Sequence, residues 1–359
     1  MDDLTVALTA LRVQCFRCLN AIELQPDRSL NLITGANATG KTSLLESIFA
    51  LSRGRSFRAG RVSELIQYDA SALTVYAELD SERHTHRLGI EITRAGRRLQ
   101  VDGQSAAIGD LAGLLPVQVI DPEIHLLIQG GPEHRRRFLD WGVFHVEPRF
   151  LDSWRRYRKA LRQRNAALRR QERREAVAAW DEELIEAGES VDAQRHAFND
   201  QFHTLLSSKI SDILPFKLKC SYLRGWKSSQ SLPDALADSW ERDRATQATQ
   251  VGPHRADLRL AAGGHVLRHH VSRGQQKLLA AALVIAQTHF VVEARQREVV
   301  LLVDDPAAEL DREHRERLFE LFKTVPAQLF VAALDIDELP WGTAGKRFHV
   351  EHGELAALI

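Results

Sequence analysis

Cysteine is scarce in this sequence: there are three in 359 residues, and a single pair lies close together. Cys15 and Cys18 have the spacing of half a zinc site, but no second pair follows at ligand spacing. We expect both on the first strand, where residues three apart point to opposite faces. The pattern therefore favours strand packing in a reducing compartment over metal binding.

Long apolar runs are missing as well. The longest, about Leu278–Ala286, is roughly half of what a bilayer span needs. The first residues, Met1–Thr9, contain two acids and no basic region of the kind that begins a signal peptide. The sequence therefore predicts a cytoplasmic protein that has no membrane partner.

An excess of charge of one sign is also absent, because 48 basic residues balance 48 acidic ones. Net charge thus argues neither for nor against a nucleic-acid partner, and the distribution of charge has to decide. Hydrophobic residues make up 44% of the chain, as in ordinary globular proteins. The length allows two or three lobes with a sizeable core, and we find no internal repeats or low-complexity segments.

Periodicity predicts an α/β protein in three parts. Strand patterns with one helix fill residues 1–125, helical patterns fill 126–248, and alternating strands and helices return in 249–359. In the middle part a sevenfold apolar repeat predicts a long helix, and a break near 175–180 lets it pack antiparallel to the helix before it. This pair would form a short helical arm of about 45 Å.

A phosphate-binding loop follows an apolar strand and precedes an amphipathic helix. The sequence GANATGKT matches G-x-x-x-x-G-K-[ST] in full, and this context is the one that confirms a P-loop. Lys41 should reach the β- and γ-phosphates of ATP, and the Thr42 hydroxyl should hold Mg²⁺. The predicted ATP-binding residues of the loop are Gly35, Ala36, Asn37, Ala38, Thr39, Gly40, Lys41 and Thr42.

A second acidic element ends the buried run VVLLVDD. Asp304 fits a Walker-B carboxylate that holds Mg²⁺, and Asp305 would orient or deprotonate the attacking water. Asp305 is one methylene shorter than the Glu usual in transporter ATPases, and Ala332 replaces a switch residue able to hydrogen-bond a phosphate. We therefore expect slow hydrolysis.

The sequence VSRGQQKLL resembles the signature loop of ABC-type ATPases. In such heads this loop reaches the γ-phosphate of a partner molecule, so Ser272, Arg273, Gly274 and Gln275 are predicted to act in trans. The sequence AELD (308–311), just after the Walker-B acids, resembles a D-loop, which adds Asp311 to the catalytic set with Asp304 and Asp305. Taken alone, residues 271–275 are equally compatible with an ordinary helix cap.

The number of residues between the P-loop and the Walker-B strand distinguishes the classes of ABC-type ATPase. Roughly 260 residues lie between the P-loop and the Walker-B strand, more than in transporter subunits and fewer than in proteins with long coiled coils. The chain closely resembles the RecF family of bacterial DNA replication and repair proteins in PVQVIDPEIHLLIQGGPEHRRRFLDWGVFHVEP (116–148), RQRNAALR (162–169), GPHRADL (252–258), SRGQQKLL and DDPAAELD. The resemblance extends over essentially the whole chain.

This resemblance implies an SMC/Rad50-like ATPase head with an inserted short helical arm. It also implies an ATP-dependent homodimer that binds double-stranded DNA near single-strand gaps and acts with RecR and RecO to load RecA, in replication recovery and SOS induction. By the same resemblance Gln118 would be the Q-loop residue that contacts Mg²⁺ and the γ-phosphate. Arg58 would lie near nucleotide and DNA.

The first arm helix carries about eleven basic residues against two acids between 149 and 174. Such a helix suits contacts to DNA phosphates, which give affinity without reading sequence. The candidate DNA-binding residues here are Arg155, Arg156, Arg158 and Arg162. The alternative is a solvated helix face whose arginines pair with nearby glutamates.

Other functions leave more unexplained. A P-loop kinase would not account for the signature loop and D-loop, and a transporter subunit would not account for the arm. An inactive scaffold is disfavoured by the intact Lys41, Thr42 and Asp304.

Overall fold

The computed structural model describes residues 7–80, 84–209, 218–296, 298–308, 310–335, 339, 341 and 344–358. The chain divides into two compact units. Unit 1 combines Met1–Ile124 with Ala281–Ile359, and unit 2 is His125–Ala280. In sequence, unit 2 is therefore an insertion within unit 1.

The strands of unit 1 come from both ends of the chain. They are β1 (Ala7–Phe16), β2 (Leu19–Leu24), β3 (Leu30–Thr34), β4 (Ala72–Asp80), β5 (Thr85–Thr93), β6 (Arg97–Val101), β7 (Gln104–Ser105) and β8 (Val117–Ile120), then β12 (Val299–Asp304), β13 (Ala327–Ala332), β14 (Lys346–Glu351) and β15 (Glu354–Leu358). Its helices are α1 (Lys41–Arg53), α2 (Ile108–Leu114) and α11 (Arg312–Thr324).

The described strands of unit 1 form two six-stranded sheets. One is antiparallel with the order β2-β1-β4-β5-β6-β7, and the other has the order β15-β14-β3-β13-β12-β8. In the second sheet β14, β3, β13, β12 and β8 are parallel, so their carboxyl ends lie at one edge. Ligands bind at such edges in open α/β sheets.

Helix α1 is buried on almost every side, from Ser43 to Ser52. It contacts strands of both sheets, and its apolar side chains share one core with them. Residues 35–40 connect the end of β3 to the start of α1. The packing of α1 therefore also fixes this loop. The predicted strand–loop–helix context of the P-loop is thus confirmed.

Unit 2 is mainly helical. Its helices are α3 (Leu126–Gln129), α4 (Pro132–Val146), α5 (Phe150–Arg169), α6 (Arg174–Ala178), α7 (Asp181–Lys209), α8 (Leu232–Asp238) and α9 (Trp240–Thr246), and α10 (Arg273–Arg295) begins here and continues into unit 1. Helices α5 and α7 pack along each other, as the apolar repeat predicts, and the short α6 occupies the predicted break. We call α5–α7 the arm.

The boundary that we expected at 248/249 needs correction, because unit 2 extends to Ala280. The expected arm segment contains a strand, β9 (Leu218–Leu223), which the sequence did not lead us to predict. Strand β9 pairs with β10 (Asp257–Ala262), and β10 pairs with β11 (His265–Val266). This pairing ties the start of the expected C-terminal part to unit 2.

Among the described residues one helix, α10, has the length and hydropathy of a membrane span. Within that window 78% is buried inside the protein, which is typical of a core helix.

Candidate nucleotide-binding site

Two glycines give the P-loop its path. Gly35 has φ 149° and Gly40 has φ 119°, both in the region that favours glycine. A Cβ atom on Gly35 would lie 2.3 Å from the main-chain oxygen of Val350, and one on Gly40 would lie 2.6 Å from Leu19. Any side chain here would therefore displace the loop from the start of α1, where main-chain N–H groups can bind an anion.

Lys41 is the first residue of α1 and turns back over the loop. Its Nζ donates to the main-chain oxygens of Gly35 at 2.7 Å and Ala36 at 2.8 Å. Partial burial lowers the pKa of Lys41, while the nearby Asp304 and Asp305 oppose that shift. The amine is thus held at the loop within the field of both carboxylates.

Thr42 joins the P-loop to the end of β12. Its hydroxyl donates to both carboxylate oxygens of Asp304, at 2.9 and 3.0 Å, although 262 residues separate the two. Burial raises the pKa of Asp304, and the Thr42 hydrogen bond and Arg58 counteract that effect. A hydroxyl and a carboxylate beside a phosphate loop form the oxygen donor set that Mg²⁺ takes with a nucleotide, so these residues fit the ion.

These residues open onto a cavity of about 640 Å³. The lining includes Asn37, Ala38, Gly40, Lys41 and Thr42 of the loop, Asp304 and Asp305 after β12, and also Cys18, Ser43, Phe57, Arg58, Asp121, Pro122, Glu123 and Leu334. Asp305 is exposed, and its main-chain N–H donates to Ala332 at 2.9 Å. The cavity therefore combines the P-loop, both predicted acids and Arg58.

Gln118 is not part of this lining, which corrects our expectation for that residue. It lies within β8, is buried, and donates through Nε2 to Gln287 of α10 at 2.6 Å. The lining residues of this segment begin at Asp121, directly after β8. The resemblance pointed to the glutamine, whereas the end of the strand decides which side chain enters the cavity.

Asp121 has an unusual electrostatic environment. Its burial, together with the nearby Glu123 and Asp304, raises its pKa to about 6. The carboxylates of Glu123 and Asp304 thus lie close enough to Asp121 to disfavour its ionisation. A cation bound there would relieve that repulsion.

Arg58 lines the cavity from a loop whose position is fixed by the buried carboxylate of Glu46. Glu46 of α1 is fully buried and accepts hydrogen bonds from both Arg17 and Ser56. The Ser56 oxygen in turn accepts from the main-chain N–H groups of Arg58 at 2.7 Å and Ala59 at 2.6 Å. Residues 56–59 are therefore anchored to the P-loop helix, a connection that sequence spacing does not reveal.

The signature segment begins α10, in unit 2. The Ser272 main-chain N–H donates to Oε1 of Gln275 at 2.9 Å, and the Gln275 N–H donates to Oγ of Ser272 at 3.3 Å. This reciprocal pair is a capping box. Ser272 and Arg273 are exposed, so the cap leaves the start of the helix open to an anion outside the protein.

Asp311 caps a different helix. Its carboxylate accepts from the N–H of His314 at 2.9 Å and contacts the His314 ring at 2.7 Å, at the start of α11. Asp311 is exposed and does not line the nucleotide cavity. Within one chain, it is therefore not brought together with Asp304 and Asp305.

The basic residues of α5 fall into two sets. The first set, at positions 0, 3, 4, 7 and 14 counted from Arg155, is exposed on one helix face and spans about 21 Å. We call this face the basic stripe: Arg155, Arg158, Lys159, Arg162 and Arg169. In the part of the chain that the structure describes, none of the five forms a salt bridge, and Arg158 stacks over Trp154 at 4.6 Å.

Arg156 lies outside the basic stripe, which corrects its grouping with the other candidate arginines. It binds Glu183 of α7 through two hydrogen bonds of 2.7 and 2.9 Å and Glu186 through one of 2.9 Å. Arg156 therefore stabilises the packing of the arm. This matches the alternative stated for this helix, in which arginines pair with nearby glutamates.

Comparison with known proteins identifies the relatives of this chain. The profile of the RecF/RecN/SMC N-terminal domain matches residues 7–343. The DNA replication and repair protein RecF of Stutzerimonas stutzeri (strain A1501) is 42% identical over 362 residues, 98% of each chain. The chain belongs to the RecF family. The RecF protein of Pseudomonas fluorescens (strain SBW25) is likewise 42% identical over 98% of each chain.

Solved structures agree with the RecF assignment. The recombination mediator protein RecF with ATP, of the RecFOR pathway, has a TM-score of 0.90 and 26% identity, covering 100% of this chain and 99% of that one. An Smc head bound to the C-terminal winged-helix domain of ScpA has a TM-score of 0.57 at 16% identity, covering 98% and 97%. The chain therefore has the predicted SMC-like, ABC-type ATPase head with an inserted helical arm.

Proposed function

We propose that this member of the RecF family is an ATP-dependent DNA-binding protein whose dimer closes around ATP. The observation that carries the proposal is the bond between Thr42 and Asp304, which unites the P-loop and the Walker-B strand in one cavity. Curated relatives are named DNA replication and repair proteins, and a similar solved structure is of RecF with ATP.

The chemistry assigned to the cavity is slow hydrolysis of ATP. The P-loop main chain and Lys41 would bind the phosphates, and Thr42, Asp304 and, in place of Gln118, Asp121 would hold Mg²⁺, which neutralises charge on the phosphate oxygens. Asp305 would orient the attacking water. Its short side chain, together with the apolar Ala332, supports a low hydrolysis rate.

Ser272, Arg273, Gly274 and Gln275 would complete the site of a second copy. Their helix start is capped, exposed and able to receive an anion, which suits a γ-phosphate presented by a partner molecule. Asp311 would act across the same interface. ATP then favours the dimer because it binds that state better than the monomer, and hydrolysis resets the equilibrium.

The basic stripe on α5 supports double-stranded DNA as the ligand of the closed dimer. Its five cations lie on one face over about 21 Å, a length along which one duplex strand presents about six phosphates. We assign these cations to phosphate contacts, so recognition would depend on backbone charge and shape. By family resemblance the preferred substrate is duplex DNA beside a single-strand gap.

The RecF assignment also supports partners and a cellular role. We propose that the protein acts in the cytoplasm with RecR and RecO in loading RecA, and in replication maintenance and SOS induction. A solved RecF structure is described as belonging to the RecFOR pathway, which supports RecR and RecO as partners.

A single binding experiment tests the proposal. Affinity for duplex and gapped DNA is measured with ATP, a non-hydrolysable analogue or ADP, with and without purified RecR, while light scattering reports mass. We expect a dimer and tight binding with ATP or the analogue, and a monomer with weak binding with ADP. DNA binding that ignores the nucleotide would contradict the proposal.

A further inference from the structure

A second group of ligand-type side chains lies on the antiparallel sheet of unit 1. His84 and His86 are two residues apart where β5 begins, so they point to the same face of the strand. Asp102 lies in the turn after β6, with φ 51°. Its carboxylate accepts a hydrogen bond from the main-chain N–H of Arg87 in β5. Nothing in the nucleotide site uses these three residues.

The three side chains converge. One potential ligand atom from each lies within 4.8 Å of the others. The Asp102 carboxylate accepts from the Arg87 main-chain N–H at 2.7 Å through one oxygen, while the other lies 2.8 Å from Nδ1 of His86. The rings of His84 and His86 are 4.9 Å apart. The main-chain hydrogen bond fixes the carboxylate, so the cluster is partly preorganised.

We propose that His84, His86 and Asp102 form a site for a divalent transition-metal ion of the Zn²⁺ type. Two imidazoles with a carboxylate are a donor set that zinc accepts, whereas Mg²⁺ and Ca²⁺ prefer oxygen ligands. Zinc ligands lie about 2.0–2.2 Å from the ion, so in tetrahedral geometry two of them are about 3.3–3.6 Å apart. Rotations of the three side chains that bring the ligand atoms, which now lie within 4.8 Å of one another, to that spacing would complete the site.

The surroundings leave room for solvent ligands. A surface cavity of about 460 Å³ includes His84 and Asp102 in its lining, together with the polar side chains of Thr85 and Gln100. The ion would connect the start of β5 to the turn after β6. Because it binds the folded state, it would stabilise this sheet independently of ATP.

Another histidine pair provides a matched control. His265 and His270 have ring centroids 5.2 Å apart, close to the spacing of His84 and His86. Among the described residues, however, this pair belongs to no three-donor group of histidine, cysteine and acidic side chains. If proximity of two imidazoles were sufficient, both pairs would bind equally well.

The test is titration of the EDTA-treated, nucleotide-free full chain with ZnCl₂ by calorimetry, and with CoCl₂ by visible absorption. We expect one equivalent to bind in the presence of excess Mg²⁺, with affinity at least tenfold lower in His84→Ala, His86→Ala and Asp102→Asn. His265→Ala should bind as the unchanged protein does. Equal melting temperatures in EDTA will show that the variants are folded.

Three results would overturn the proposal. They are no saturable binding, binding unchanged by His84→Ala and His86→Ala, and a cobalt spectrum with thiolate charge-transfer bands that disappear in Cys18→Ser. The last would place the ion at a cysteine instead.

Discussion

Arg162 and Arg164 are two positions apart on α5, yet they lie in opposite environments. Arg162 is exposed on the basic stripe, whereas Arg164 is 1% exposed. Arg164 binds Asp181 and Asp243, each at 2.7 Å, and Asp243 is fully buried. Replacing each arginine by methionine therefore separates a role in DNA binding from one in stability.

The expected cost in stability is large only for Arg164→Met. That change leaves the Asp243 carboxylate buried without its cation, which costs about 3–5 kcal/mol in the free energy of unfolding. Arg162→Met removes no ion pair, so the free energy should change by less than about 0.5 kcal/mol. Thermal or urea denaturation of both variants measures this difference.

The expected effect on DNA binding has the opposite order. If DNA contacts the basic stripe of one protomer of the dimer and each of its five residues neutralises one phosphate, the logarithm of affinity falls with the logarithm of salt with a slope of about −4.5. Raising salt from about 0.05 to about 0.2 M would then weaken binding roughly 500-fold. Arg162→Met should bring the slope to about −3.6.

Fluorescence anisotropy with duplex DNA and ATP at several salt concentrations measures this slope. Arg156→Met is the control, because Arg156 is paired with Glu183 and Glu186, and its slope should stay near that of the unchanged protein. An unchanged slope in Arg162→Met, or an equal decrease in Arg156→Met, would refute the assignment of DNA contacts to the basic stripe.

Four further predictions concern the nucleotide site. Lys41→Met should abolish ATP binding in a fluorescent-nucleotide titration, because the cation beside the phosphates is lost, whereas Ser272→Arg should keep ATP binding by the monomer but prevent the dimer in light scattering. Asp121→Asn should weaken Mg²⁺-dependent ATP binding. The same change should raise the melting temperature without nucleotide, because the raised pKa of Asp121 shows that its ionised form is unfavourable in the folded protein. This gain in stability should be present above about pH 6 and vanish below the ordinary aspartate pKa. Ser56→Ala should lower ATP affinity less in an Arg58→Ala background than alone, because Ser56 acts by holding the Arg58 loop; additive losses in that double-mutant cycle would contradict this role.

The P-loop, the acidic end of β12 and the sevenfold repeat of α7 could all be predicted because their signals are local. The P-loop motif, with its apolar strand before it and helix after it, is recognised from eight contiguous residues. The pairing of β9 with β10 could not be predicted in this way. Its partners are more than thirty residues apart, and a short strand among helices has little periodicity of its own.

The exchange of Gln118 for Asp121 illustrates the same limit inside the site. Both residues fall in the segment that resembles the RecF family, and the resemblance to a Q-loop favoured the glutamine. The end of β8 at Ile120 leaves Gln118 inside the sheet and turns Asp121 into the cavity. The side chain that faces the cavity thus lies three positions later than expected. It is a carboxylate near Asp304 and not a neutral amide.

The sequence by itself determined the family, the ATPase head and the position of the P-loop, because these are recognised from contiguous motifs. Only the tertiary structure decided which charges are paired inside the protein and which are exposed to solvent. Arg156, Arg162 and Arg164 look equivalent in the sequence, but rotation along α5 places them against glutamates, solvent and a buried aspartate respectively. The partner element, and not the residue type, determines how much each charge is desolvated and therefore what it can bind.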